Sequence, residues 1–261
     1  MPDGTSGSTI LQMIKSQVDE LITQMTPAEK AAQLTQYFYF RLPEGAEPGI
    51  DFDPDEQPKM VESTLRDGLV GSMLFVTNPA EINRLQRLTV EGNRLGIPAL
   101  FGFDVIHGLR TILPVPIAMA ASWDPDTIER GQSVAAREAR AVGIHWSFAP
   151  MVDIARDPRW GRIIEGAGED PFLGAAVAAA QVRGFQGGEL GTHDRIIAGP
   201  KHLAGYGAAL GGRDYDEVNL SESELWNVYF PPFKAAVDAG AGNVMTAYMG
   251  LNGIPAAGST W

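Results

Sequence analysis

The chain alternates short apolar runs with capped helical stretches, and this alternation restricts its fold more than any other feature. The repeated order is an apolar run, a loop, an Asp, Asn, Ser or Thr cap, a helix and a closing Gly. Apolar runs fall at 70–76, 97–103, 144–148, 196–199 and 244–249. Helices are predicted after Asn78-Pro79, closed by Gly96, after Asp124-Pro125, to about Gly143, and after Asp170-Pro171, ending near Gly184. A last helix opens at Ser221, where Glu224 completes a capping box; it is expected to break at Pro231-Pro232 and resume to Gly240. Strands separated by helices favour a parallel sheet, either doubly wound or closed as a (β/α)8 barrel.

The placement of reactive residues favours the barrel. In barrels, chemistry collects in the loops at the C-terminal ends of the strands. Asp104 follows the second run, the 156–162 charge cluster follows the third, Lys201 and His202 follow the fourth, and Tyr248 lies near the end of the fifth. Four polar strand ends suit one shared pocket better than a nucleotide crevice between two loops. A full barrel takes about 250 residues, so about five βα units, its N-terminal part, are expected at 59–261. Residues 1–58 are expected to form a helical lead-in, with helices at 10–24 and after Thr26-Pro27, and an acidic, Pro-rich loop at 41–58.

Charge and composition exclude several partners. The 20 Lys and Arg against 32 Asp and Glu give a net charge of -12, which repels nucleic-acid backbones and anionic headgroups. No window approaches the roughly 18 to 20 apolar residues of a membrane span. The polar run at 1–9 has no signal-peptide pattern. With no Cys there is no disulfide framework and no thiolate metal site. No metal or cofactor is expected.

Three constellations carry chemistry. Asp104 and Arg110 stand six residues apart in one loop, fitting either a clamp on vicinal hydroxyls or a structural Asp–Arg brace; His107 between them reads as structural. The stretch from Asp153 through Arg156, Asp157, Arg159, Trp160 and Arg162 to Glu165, Glu169 and Asp170 packs both charge signs around one Trp. Most of these charges read as scaffold, with Arg162 the choice for ligand contact. Lys201 and His202 are adjacent, so on a strand their side chains diverge, and a satisfied core His fits the pattern as well as a functional one.

In their order, these loops resemble glycoside hydrolase family 3 from about Pro98 to Trp261. The motifs are 104–110, the Asp157-Pro-Arg-Trp-Gly-Arg162 run with Glu165 and Glu169-Asp-Pro171, the Lys201-His-Leu-Ala-Gly-Tyr-Gly207 stretch, and Met245-Thr-Ala-Tyr248 before Asn252-Gly253. The segment Gly211-Gly-Arg-Asp-Tyr215 is similar to the bacterial periplasmic β-glucosidase branch.

The resemblance implies that Asp104, Arg162, Lys201 and His202 bind the hydroxyls of a terminal glucose, with Arg110 beside Asp104. It places Tyr248 beneath the nucleophile, Met245 in the pocket lining and Arg213 as a weaker contact. The implied activity is retaining, exo-acting hydrolysis of β-glucosides or cello-oligosaccharides to glucose, through a glycosyl-enzyme intermediate. A β-xylosidase or a non-catalytic sugar-binding fragment are the alternatives. The family's nucleophile Asp lies some 30 residues past the Asn-Gly pair and its acid/base Glu in a second domain, so both are expected outside these residues, on a companion polypeptide or an omitted segment. The loop at 204–219 contains no His, which argues against the β-N-acetylglucosaminidase branch. The implied location is periplasmic or secreted.

Overall fold

The computed structural model describes residues 7–41, 53, 55–188 and 190–260. Most of the acidic loop expected at 41–58 lies outside them, as do the first six residues. The chain divides into two compact units, Met1–Phe101 and Gly102–Trp261.

The first unit opens with α1 (Gly7–Gln24) and α2 (Pro27–Gln33). Thr26 caps α2 as the sequence predicts: its hydroxyl accepts from the Glu29 backbone while the Glu29 carboxylate accepts from the Thr26 N–H. Strand β1 (Gln36–Phe38) pairs in parallel with β2 (Ser72–Leu74), with α3 (Glu56–Arg66) between them in the chain. Helix α4 (Pro79–Gly92) follows, and β3 (Leu100–Phe103) begins at the end of this unit. Val61 and Leu65 of α3, Met73 of β2 and Leu85 of α4 form its buried core.

Helix α4 stops before the expected Gly96. The Asn93 amide ends it, donating to the Thr89 and Ile97 carbonyls while its oxygen accepts from the Leu95 and Ile97 N–H groups. Gly96, at φ +64°, lies in the turn beyond.

The second unit repeats the βα pattern. After β3 come α5 (Pro116–Ala120), α6 (Pro125–Ala141), β4 (Trp146–Ser147), α7 (Pro171–Gln186) and β5 (Ile197–Ala198). Strands β3, β4 and β5 pair in parallel, each beside its neighbour in the chain. The ladders are shorter than the apolar runs, whose remaining residues fill the core: Ile144, Phe148 and Ile196 are buried beside β4 and β5. Then follow β6 (Lys201–Leu203), α8 (Glu222–Glu224), α9 (Phe230–Asp238) and β7 (Met245–Thr246), and β6 pairs in parallel with β7. A hairpin, β8 (Gly250–Leu251) and β9 (Ile254–Pro255), turns on Asn252 and Gly253, both at positive φ. The fold is α/β, with parallel strands and connecting helices in the order of successive barrel units.

Pro231 and Pro232 do not break their helix. A π turn at Leu225–Tyr229 joins α8 to α9, and the prolines fall in the first turn of α9, where a missing N–H is tolerated. Asp170 caps α7 through the Phe172 and Leu173 N–H groups, and α7 runs past Gly184 to end at Gly187, φ +66°. Gly184 instead marks close packing. A Cβ there would lie 2.6 Å from the Glu129 carbonyl oxygen and 2.7 Å from the Gln132 Cβ, both on α6.

This contact decides the sign of one substitution. Helix propensity alone favours Gly184→Ala by about 1 kcal/mol. Backbone atoms of α6 cannot yield as a flexible side chain would, so overpacking should dominate, for a net loss of roughly 1–2 kcal/mol. Urea unfolding of G184A reads the outcome directly, and a raised midpoint would show that the helices separate without cost.

Candidate functional site

A site in the second unit is built from strand ends. Lys201 and His202 stand on β6, held on one side by β7, with Lys201 opposite Met245, and on the other by the segment after β4, where the Lys201 N–H donates to the Pro150 carbonyl and the Lys201 carbonyl accepts from Val152. The 201–202 peptide bond is cis. Both side chains are buried, Lys201 at 4% exposure and His202 at 0%, and they diverge to different partners.

Lys201 reaches a carboxylate 97 residues away: its Nζ lies 2.6 Å from Asp104 Oδ1, and the Asp104 side chain remains 45% exposed. Arg110 does not take that place. Its backbone N–H donates to Glu138, which also binds Thr111, and Arg110 itself is exposed. The loop is therefore braced through Glu138, and the expected Asp104–Arg110 neighbourhood gives way to an Asp104–Lys201 pair.

His202 sits on Asp153, a carboxylate that the sequence marks only as one of the scaffold charges. Asp153 Oδ2 accepts from the His202 backbone N–H at 3.1 Å and lies 2.8 Å from Nδ1. Burial pushes the Asp153 carboxyl up, against the pull of the His202 donors and of Arg162. On its other side, His202 Nε2 lies 2.7 Å from the Tyr248 hydroxyl, which accepts from Arg162 Nη1 at 3.0 Å. With the imidazole proton on Nδ1, each donor in this chain meets an acceptor: Arg162 to Tyr248, Tyr248 to His202, His202 to Asp153.

Arg162 is gripped from behind by Glu165, with Nε at 2.7 Å from one carboxylate oxygen and Nη2 at 2.9 Å from the other. Burial pushes Glu165 up, but this bidentate guanidinium outweighs it and holds the carboxyl below the usual glutamate range. The same pairing pushes Arg162 further above its ordinary value. Beneath lies Tyr206, fully buried, with the Arg162 guanidinium 5.6 Å above its ring and the rings of Trp160, His202 and Tyr248 each within 5.2 Å. Asp214 fastens this support, accepting from Trp160 Nε1 and from the Tyr206 hydroxyl.

Of the sequence-predicted residues, Asp104, Arg162, Lys201, His202 and Tyr248 join this network, with Met245 beside Lys201 on the ladder. Arg213 pairs with Asp216 on an exposed loop and Arg110 lies at Glu138. The sequence places Asp153 only among scaffold charges and Tyr206 and Asp214 only within motif runs, without the partners they have here. Asp153 carried a signal, a lone carboxylate between the apolar residues Val152 and Ile154. Among the described residues, no group of three or more His, Asp or Glu side chains could hold a metal ion.

The donor balance indicates the kind of ligand. Three of the five guanidinium N–H groups of Arg162 are engaged, and one bond from Lys201 goes to Asp104, which leaves further donors on both cations beside an exposed carboxylate. Hydroxyl groups, which both donate and accept, match such a mixed set.

A parallel α/β unit whose polar strand ends are brought together on one side has the layout of a barrel segment. Residues 18–261 match the glycosyl hydrolase family 3 N terminal domain, and the chain belongs to that family. It is 37% identical over 244 residues to a periplasmic β-glucosidase of Salmonella typhimurium, covering 94% of this chain and 30% of that protein. A putative β-xylosidase of Formosa agariphila is 34% identical, with 94% of this chain and 34% of that protein covered. The crystal structure of a β-glucosidase from Listeria innocua superposes with a TM-score of 0.85 at 40% identity, over 94% of this chain and 34% of that one. The same enzyme has been solved with glucose and, as a mutant, with laminaribiose. The chain thus spans about a third of the length of these relatives.

The Arg162–Glu165 pair makes stability depend on acid. A carboxyl whose native value is lowered contributes stability that is complete above the ordinary glutamate value of about 4.3 and lost as pH falls through the native one. Glu165→Gln should therefore lose roughly 1 kcal/mol at pH 7 and show a shallower decline in unfolding free energy below pH ~4.3. Parallel acid limbs in wild type and E165Q would remove Glu165 from the account.

Proposed function

We propose that this chain is the sugar-holding part of a retaining, exo-acting β-glucosidase that releases terminal β-D-glucosyl residues from β-glucosides or cello-oligosaccharides. The observation that carries the reading is the pairing of donors with acceptors at the strand ends: the Asp104 carboxylate against the Lys201 ammonium, and the Arg162 guanidinium against the Tyr248 hydroxyl. In this reading Asp104, Arg162, Lys201 and His202 hold the hydroxyls of the terminal glucose, Met245 and Tyr248 line the pocket, and Arg110 and Arg213 are outer contacts. The partly buried charges are worth more to a bound hydroxyl than exposed ones would be, because charge-assisted bonds strengthen away from water.

The names of the relatives support the substrate class. One is called a periplasmic β-glucosidase, and the Listeria β-glucosidase has been solved with glucose and with laminaribiose. The nucleophile and acid/base carboxylates are assigned to polypeptide beyond these residues, a companion chain included. Residues 59–261 are taken as the barrel part and 1–58 as its lead-in, and the location as periplasmic or secreted. A β-xylosidase is the second reading, favoured by the 34% identity to the Formosa protein. Relative hydrolysis of an aryl β-glucoside and an aryl β-xyloside separates the two.

The binding reading is tested at Asp104. Its carboxylate accepts from ligand hydroxyls through charge-assisted bonds worth about 1.5–3 kcal/mol. Titration calorimetry with glucose should show binding to the wild-type chain and a loss of roughly 10- to 100-fold in D104A. Equal affinities would take Asp104 out of the site.

A further inference from the structure

The loop after β3 contains a histidine that the network above does not use. His107 lines a pocket of about 310 Å³ in the second unit, together with Asp104 and Glu165 and the apolar side chains of Ile106, Ile112 and Ile164. Asp104 is therefore shared between this pocket and the Lys201 pair, and Glu165 between the pocket and Arg162.

The His107 ring is fixed. Its Nδ1 lies 2.9 Å from the Leu113 carbonyl oxygen, which can only accept, so Nδ1 carries a proton and donates. The Leu113 N–H returns a bond of 2.8 Å to the His107 carbonyl, closing the loop on itself. Gly108 tightens the turn: it sits at φ +102°, and a Cβ there would collide with the Thr111 carbonyl. A neutral imidazole that donates through Nδ1 has Nε2 as its acceptor. Among the described residues none bonds Nε2, and the ring lines a pocket it shares with Asp104.

We infer that His107 is a specificity-determining residue, its Nε2 accepting a hydrogen bond from a hydroxyl of the same sugar that the Asp104 carboxylate holds. The inference rests on the sugar-site reading and extends it. An acceptor held by a locked loop loses little freedom on binding, so the bond counts nearly in full. The isoleucine walls suit the C–H face of a pyranose, and the Asp104 and Glu165 carboxylates beside them can accept from its hydroxyls. Nε2 adds a requirement for a hydroxyl at one ring position.

Two substitutions separate this role from a structural one. In H107N the amide nitrogen falls near the place of Nδ1 and keeps the Leu113 bond while removing Nε2; H107F removes both. Calorimetry with glucose should show a loss of about tenfold in each variant, whereas only H107F should melt at a lower temperature. With singly deoxygenated glucoses, one position should already bind weakly to wild type and lose nothing further in H107N, since the missing hydroxyl and the missing acceptor are the same interaction. Glucose affinity unchanged in H107N, or lost only in step with melting temperature, overturns the inference. Losses that are additive at every position overturn it as well. D104A serves as the control: if it loses glucose while H107N does not, the sugar site stands and His107 is structural, and if wild type binds no glucose, both readings fall.

Discussion

The site is organised around one carboxylate that water cannot reach. Asp153 is 2% exposed and holds His202 at two points, the backbone N–H and the ring Nδ1, so the imidazole can neither slide nor turn over. Removing one member of such a buried pair typically costs about 3–5 kcal/mol, because the other is left without compensation. Every later contact inherits this orientation. Nε2 meets the Tyr248 hydroxyl only because Nδ1 is occupied, and Tyr248 presents its oxygen to Arg162 only because its proton is directed at Nε2.

Rigidity is supplied separately from ligand contact. Tyr206 and Trp160 form a buried support under the Arg162 and His202 side chains, fastened from the surface by Asp214, and Glu165 fixes the far edge of the guanidinium. Asp104 and Tyr248 are more exposed, Tyr248 at 51%. A ligand meets side chains whose rotamers are already set, which lowers the ordering cost of binding. Lys201 is paired with Asp104 and Arg162 with Glu165, so the site carries both signs within a protein of net charge -12.

What the sequence made legible follows the range of each interaction. Helix starts at Thr26, Asp124, Asp170 and Ser221 depend on bonds spanning two or three residues, and each cap is found where the sequence predicts it. Helix ends were harder: Asn93 closes α4 through its amide, and Gly184 is used for packing rather than termination. Polar residues at strand ends could be picked out singly because the strands aim them at one place. Their pairing could not. Asp104 and Lys201 are 97 residues apart, whereas Arg110, near Asp104 in the chain, is drawn to Glu138 on α6. The partner of Asp153 was hidden by its setting, since a carboxylate inside an apolar run is explained only by the histidine that reaches it.

The same range argument accounts for the shape of the 106–113 loop. Local bonds, His107 to Leu113 and Gly108 to Ile112, fold it, and Glu138 of α6 braces it through Arg110 and Thr111, none of them members of the ion-pair network. Yet it carries the turn that begins three residues after Asp104 and forms one wall of the pocket beside it. The loop thus forms one wall of the pocket, separate from the long-range chain from Asp153 through His202 and Tyr248 to Arg162. Asp104 and Glu165 line that pocket and also bond Lys201 and Arg162. A substitution in the loop should reshape the pocket and leave the buried network standing, whereas one at Asp153 should reach the opening through every link between them.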